Sequence, residues 1–100
     1  MATEMVEISN TGIAIVSALY NNTTSVLNLT LCNSGSSVME ISDIDVLLNG
    51  TYRTGATPSE GYLYPGQTRT LSMSNVTDPR SLKVIGPWGI SDTTTSLGRG

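Results

Sequence analysis

The chain has 100 residues, no histidine, no phenylalanine and a single cysteine, Cys32, and only 13% of it is charged, with a net charge of -3. That length holds one domain or less, and an ordinary soluble domain carries about twice the charge. Histidine-dependent nucleophilic catalysis and histidine-ligated metals are excluded, and one cysteine makes neither an intrachain disulfide nor a thiolate metal site.

Other classes fall away with these. Arg53, Arg69, Arg80, Lys83 and Arg99 are scattered through an acidic chain, which gives no nucleic-acid footprint. No apolar run reaches the roughly 18 residues of a membrane span. No basic segment precedes an apolar one in the manner of a signal peptide. Small uncharged residues stand in for charge: 13 Ser, 14 Thr, 7 Asn and 10 Gly. The apolar share of 38% argues against disorder. A fold held by apolar and hydroxyl contacts loses little when carboxylates protonate, which is compatible with an acidic exterior.

Residues 1–11 and 97–100 are expected to be frayed or extraneous to one domain spanning 1–100. Gly12 to Tyr20 is rich in β-branched residues and reads as a strand. Asn21 to Thr24 is a polar turn. Leu27, Leu29 and Leu31 then alternate with Val26, Asn28, Thr30 and Cys32, which puts the leucines on one face of a second strand. Asn33 to Ser37 turns again. Ile44 to Leu48 is a third strand, and Asn49-Gly50 signals a hairpin into Thr51-Tyr52-Arg53. Tyr62-Leu63-Tyr64 is a short extended piece before a type II turn at Pro65-Gly66. Thr68 to Met73 alternates, Asp78-Pro79 turns, Leu82 to Ile85 is a strand, and Ile90 to Leu97 is the last.

Seven or so short segments at roughly ten-residue spacing, with no helix, predict an all-β antiparallel sandwich. The expected core is Ile15, Leu27, Leu29, Leu31, Val46, Leu48, Leu71, Leu82, Val84 and Ile90. Cys32 falls on the face opposite the leucines, and a free thiol packed there is inert.

Asp43 and Asp45 lie two apart on a presumed strand and so share a face. Paired carboxylates serve acid–base chemistry or, with Glu40 and Asn49 nearby, calcium. The calcium-loop pattern is missing, and solvated carboxylates that discourage edge pairing explain the two as well. A serine nucleophile would need Lys83 as its base, and no motif surrounds that residue. The glycines match no phosphate loop. No cofactor and no enzymatic activity are expected.

Five Asn-x-Ser/Thr acceptors begin at Asn21, Asn22, Asn28, Asn49 and Asn75. Chance alone gives about two in so hydroxylic a chain. Asn49 and Asn75 fall at turns, where a glycan fits, and Asn21 and Asn22 overlap. The excess suits an exported surface protein, and turn chemistry explains it equally. Tyr62, Tyr64 and Trp88 are turn-borne aromatics of the kind that line partner surfaces. A packed hairpin tip is the rival reading.

Three stretches taken together resemble the soluble domain of the archaeal flagellar (archaellum) accessory proteins F and G. They are Val26 to Gly35 followed by Asp45 to Gly50, then Tyr64-Pro65-Gly66-Gln67, then Leu82 to Asp92. The resemblance spans about residues 12 to 96. It implies an immunoglobulin-like sandwich outside the archaeal cell membrane, with a transmembrane helix ahead of it in the full-length protein. It further implies a non-enzymatic stator that anchors the motor to the surface layer. The implied partners are a second copy, the companion accessory protein (F with G) and the surface-layer protein. Tyr62, Leu63, Tyr64, Pro87, Trp88 and Ile90 are the surface expected to carry those contacts. The alternative is a secreted or viral surface sandwich that binds glycan or calcium.

Overall fold

Period-two patterning and turn chemistry dictate most of the chain. The computed structural model describes residues 12–99; residues 1–11 and Gly100 lie outside the described residues, so the expectation of frayed ends there has no structural counterpart. Ten strands are seen among the described residues. They are β1 (Ile13–Asn21), β2 (Val26–Asn33), β3 (Met39–Glu40), β4 (Asp45–Leu48), β5 (Thr51–Arg53), β6 (Tyr62–Leu63), β7 (Thr68–Met73), β8 (Leu82–Ile85), β9 (Ser91–Thr94) and β10 (Gly98–Arg99). Two 3-10 turns, Ile41–Asp43 and Pro87–Gly89, complete the regular structure.

The strands form sheets ordered β10-β1-β2-β7, β5-β4-β8-β9 and β3-β6. Every pairing between these strands is antiparallel except β1 with β10. The class is all-β, as expected, but the count of about seven strands is too low. Three of the ten are two-residue strands that pair across the chain: β3 with β6, and β10 with β1. The last expected strand, Ile90 to Leu97, is shortened to β9, and beyond it Gly98–Arg99 forms β10 and pairs with β1.

Leu27, Leu29, Leu31, Val46, Leu48, Leu71, Leu82 and Val84 are buried in one core, with Ile15 and Ile90 half-buried against it. Both four-stranded sheets contribute their inner faces to that core. Ile13, Ala18, Tyr20, Met39, Ile41, Leu63, Met73 and Val76 join it beyond expectation. The Tyr20 hydroxyl is satisfied in the interior by donating to the Val76 carbonyl at 2.6 Å.

Along β1 the inward residues are Ile13, then Ala18 and Tyr20. The parity changes because the register slips between Ile15 and Ser17. Val16 is the extra residue of a β-bulge, and it is left 58% exposed. On the outer face of this sheet the polar residues pair directly across strands. Thr30 Oγ1 lies 3.0 Å from Thr70 Oγ1, and Ser72 Oγ donates to Asn28 Oδ1 at 2.6 Å. Cross-strand pairs of this kind stabilise a sheet without charge. Cys32 is half-buried between Ala14 and Thr68 on the neighbouring strands.

The loops gather into two groups. The β1–β2 turn, the β4–β5 turn and the segment between β7 and β8 meet at one pole, where Val76 N–H donates to Ser25 O and Asn49 N–H to Ser81 O, both at 2.9 Å. The β4–β5 turn is the hairpin that Asn49-Gly50 signalled. Both residues have positive φ (53° and 80°), the signature of a type I′ turn. The opposite pole holds the loops after β2, β6 and β8.

Candidate functional site

The second pole is built around Asn33, the last residue of β2, which is fully buried. A buried amide must find partners for all its polar groups, and this one does. Its Nδ2 donates to Ser37 O at 2.7 Å and to Leu63 O at 2.9 Å. Its Oδ1 accepts from Gly35 N–H at 3.0 Å. Its backbone N–H donates to Gln67 O at 3.1 Å, and its carbonyl accepts from Gly66 N–H at 2.7 Å. One side chain thereby ties the loop after β2 to the turn after β6.

That turn runs Tyr64-Pro65-Gly66-Gln67. Gln67 N–H donates to Tyr64 O at 2.9 Å and Gly66 has φ of 79°, as a type II turn requires. Gln67 Oε1 also accepts from Tyr64 N–H at 2.9 Å, which fixes the turn from the side. Tyr62 and Tyr64 are about half exposed, with ring centroids 6.3 Å apart and planes tilted by 37°. Leu63 between them points inward and is 1% exposed. The expectation that Leu63 contacts a partner is therefore corrected: strand alternation puts the two tyrosines on one face and Leu63 on the other.

The loop from β8 to β9 closes through Gly86 N–H donating to Ile90 O at 2.7 Å. A Cβ on Gly86 would sit 3.1 Å from Ile90 Cγ1, so a side chain there would make Ile90 shift by a few tenths of an ångström. Trp88 crowns this loop with φ of 63°, and it is 67% exposed. A bulky residue in the left-handed region is a backbone outlier. Pro87 and Ile90 are half-buried. Asn33, Gly35, Ser37, Met39, Trp88 and Ile90 line a cavity of about 320 Å³. Of the six residues expected at a contact surface, Trp88 and Ile90 share this cavity; Tyr62 and Tyr64 pair with each other and do not line it.

Asp43 and Asp45 do not share a strand face. Asp43 is exposed at the end of the 3-10 turn Ile41–Asp43, and Asp45 begins β4 half-buried. Asp45 Oδ1 accepts from the Tyr52 hydroxyl at 3.1 Å. That hydrogen bond, and then the carboxylate's charge, raise the Tyr52 phenol above its ordinary value. Among the described residues no group of three or more carboxylates and thiols converges on a metal-sized point. The described residues hold no helix long and apolar enough to cross a membrane.

The five acceptor asparagines are all exposed, but in different settings. Asn21 Oδ1 accepts from Thr23 N–H at 2.9 Å and Thr24 N–H at 3.3 Å. Asn28 lies in the middle of β2. Asn49 Nδ2 donates to Asp78 O, while its Oδ1 accepts from Arg80 and Ser81 N–H. Asn22 and Asn75 carry no side-chain hydrogen bond among the described residues. What sequence reasoning missed is Asn33. An asparagine followed by Ser-Gly-Ser reads as an exposed turn, and its distant partners leave no local signal.

No family model matches the chain. No curated protein matches it either. Among solved structures, the chain is similar to a chain in the structure of the archaeal flagellum of Methanospirillum hungatei, with a TM-score of 0.64 and 15% identity, over 98% of this chain and 74% of that one. At that identity the likeness is one of fold.

Proposed function

We propose that this chain is a non-enzymatic structural domain of an archaeal motility apparatus. In this reading it is an immunoglobulin-like sandwich of the accessory type, held on the outer face of the cell membrane. It ties the archaellum motor to the surface layer by self-association and by contact with a companion accessory protein. The observation that carries the reading is the likeness of fold, over nearly the whole chain, to a chain of an archaeal flagellum. The order of the strand and turn motifs noted in the sequence supports it independently.

The contact surface in this reading is the second pole. Trp88 is displayed on a backbone conformation that costs about 1–3 kcal/mol, a cost that packing does not explain for a side chain two-thirds exposed. Tyr62 and Tyr64 add aromatic area, and aromatic residues dominate contact energies. Asn33 holds the underlying loops rigid, which a stator under torque needs.

Light-scattering mass against concentration, at pH 3 and pH 7, tests the reading. A reversible rise in mass that Trp88→Asp abolishes, with the melting temperature unchanged, supports it. A strict monomer that also ignores the companion protein and the surface-layer protein overturns it. Trp88 beside its cavity also favours a second reading, a surface module for saccharides. A saccharide-dependent shift in Trp88 fluorescence would decide for that one.

A further inference from the structure

We infer that two of the five acceptor asparagines, Asn22 and Asn75, are the sites of N-glycan attachment in the folded domain, and that both glycans leave from the pole opposite Trp88. The inference rests on the extracytoplasmic reading above only for the domain's exposure to the donor. The selection among asparagines comes from geometry.

Transfer makes the carboxamide nitrogen attack the anomeric carbon of a lipid-phosphate-linked oligosaccharide. A carbon–nitrogen bond forms, the bond from that carbon to the phosphate oxygen breaks, the lipid phosphate leaves, and the amide proton passes to a base of the transferase. The transferase must seize the asparagine and the hydroxyl two residues on. An acceptor therefore needs exposure, an uncommitted amide, an uncommitted hydroxyl and a backbone outside the sheet ladders.

Asn28 fails on three counts. It is flanked on both sides by paired strands, at Leu19 and at Ser72. Its Oδ1 is bonded to Ser72, and its Thr30 hydroxyl is bonded to Thr70. Asn49 fails because three hydrogen bonds pin its amide, and its Thr51 hydroxyl belongs to β5. Asn21 fails because it is the last residue of β1 and its side-chain Oδ1 caps the following turn by accepting from Thr23 and Thr24 N–H.

Asn22 and Asn75 meet these requirements at the asparagine and at the hydroxyl, while Val76 between Asn75 and Thr77 stays buried, with its N–H on Ser25 O and its carbonyl on the Tyr20 hydroxyl. Asn22 stands in the β1–β2 turn, and Thr24 two residues on is exposed. Asn75 stands at φ of 57° beyond β7, and Thr77 two residues on is exposed. The Val76 N–H to Ser25 O bond of 2.9 Å holds the two loops side by side. Glycans on both would hood one pole and leave Trp88, Tyr62 and Tyr64 uncovered.

The test uses the folded protein, a purified single-subunit oligosaccharyltransferase and a lipid-linked oligosaccharide, with intact-mass readout. The expected product carries one and then two glycans. Thr24→Ala and Thr77→Ala should each remove one glycan, and the double variant should remove both. Thr23→Ala, which destroys only the Asn21 acceptor, should change nothing. A glycan on Asn21, Asn28 or Asn49 of the folded domain overturns the inference. So does an unmodified domain when free peptides carrying the Asn22 and Asn75 triplets are modified. Since enzyme and donor are supplied directly, that failure would leave the extracytoplasmic reading standing, while a monomer in light scattering would leave the acceptors standing.

Discussion

The carboxylate of Asp92 on β9 accepts the backbone N–H of Ile15 on β1 at 2.8 Å, across a sequence separation of 77 residues. Ile15 sits at the bulge, where β1 has lost its regular register. One side chain thus joins two sheets at the point where the ladder between β1 and β2 is interrupted. The other oxygen of the carboxylate accepts from Thr93 N–H at 2.9 Å, which holds it in place.

Asp92→Ala should therefore destabilise the domain by about 2 kcal/mol, the range of a hydrogen bond to a charged group. Chemical denaturation measures the loss, and amide exchange at Ile15 should quicken in step. Asp43→Ala, at an exposed turn, should stay within about 0.5 kcal/mol of the parent. Equal losses for the two would remove the special status of Asp92.

Asn33→Ala should be costlier. It strips partners from Ser37 O, Leu63 O and Gly35 N–H together. Leaving the buried Leu63 carbonyl unpaired costs about 1–3 kcal/mol, and losing each of the two part-buried bonds about 0.5–1.5 kcal/mol, so about 3 kcal/mol is expected. Asn33→Asp should be no better, because a carboxylate cannot donate to two carbonyls. Thermal melting ranks the variants.

Trp88 and Leu63 should respond in opposite ways. Trp88→Gly relieves a strain of about 1–3 kcal/mol and adds about 0.5–1 kcal/mol of unfolded-chain entropy. Relief wins, and stability should rise by about 1 kcal/mol while any self-association is lost. Leu63→Asp buries an unpaired charge and should unfold the domain. A folded Leu63→Asp variant, by circular dichroism and melting, would contradict the inward placement of that residue.

Tyr52 should titrate above its ordinary value of 10.0, because its protonated hydroxyl is bonded to Asp45. The sign follows from linkage. The folded-state pKa is raised, so the stabilisation is fully present below 10.0 and is lost as pH climbs through the folded value. Asp45→Asn should move the Tyr52 titration down toward 10.0. Absorbance of tyrosinate, assigned with Tyr52→Phe, reads the shift.

What was legible in the sequence is what local chemistry decides. Leu27, Leu29 and Leu31 bury because a strand alternates, and Asn49-Gly50 turns because both residues tolerate positive φ. The two-residue strands Met39–Glu40 and Gly98–Arg99 were not legible, since each exists only through a partner distant in sequence. Val16 illustrates a subtler loss. Its run of β-branched neighbours reads as one strand, and only the pairing with β2 reveals the bulge that reverses the parity of Ala18 and Tyr20. Leu63 was within reach, because its flanking tyrosines already define the outward face. The second pole was half legible: Trp88 and the tyrosines announce exposure, while the Asn33 scaffold beneath them depends on residues some thirty positions away.

The parallel pairing of β10 with β1, at Leu19 with Gly98 and Tyr20 with Arg99, has a mechanical consequence. Both strands run toward the same pole, so tension entering the backbone at Ile13 and leaving beyond Arg99 pulls them in opposite directions along their length. The bonds between them are then sheared together instead of being peeled one at a time. Force drawn through this domain meets its resistance at the first and last strands, before it reaches the core.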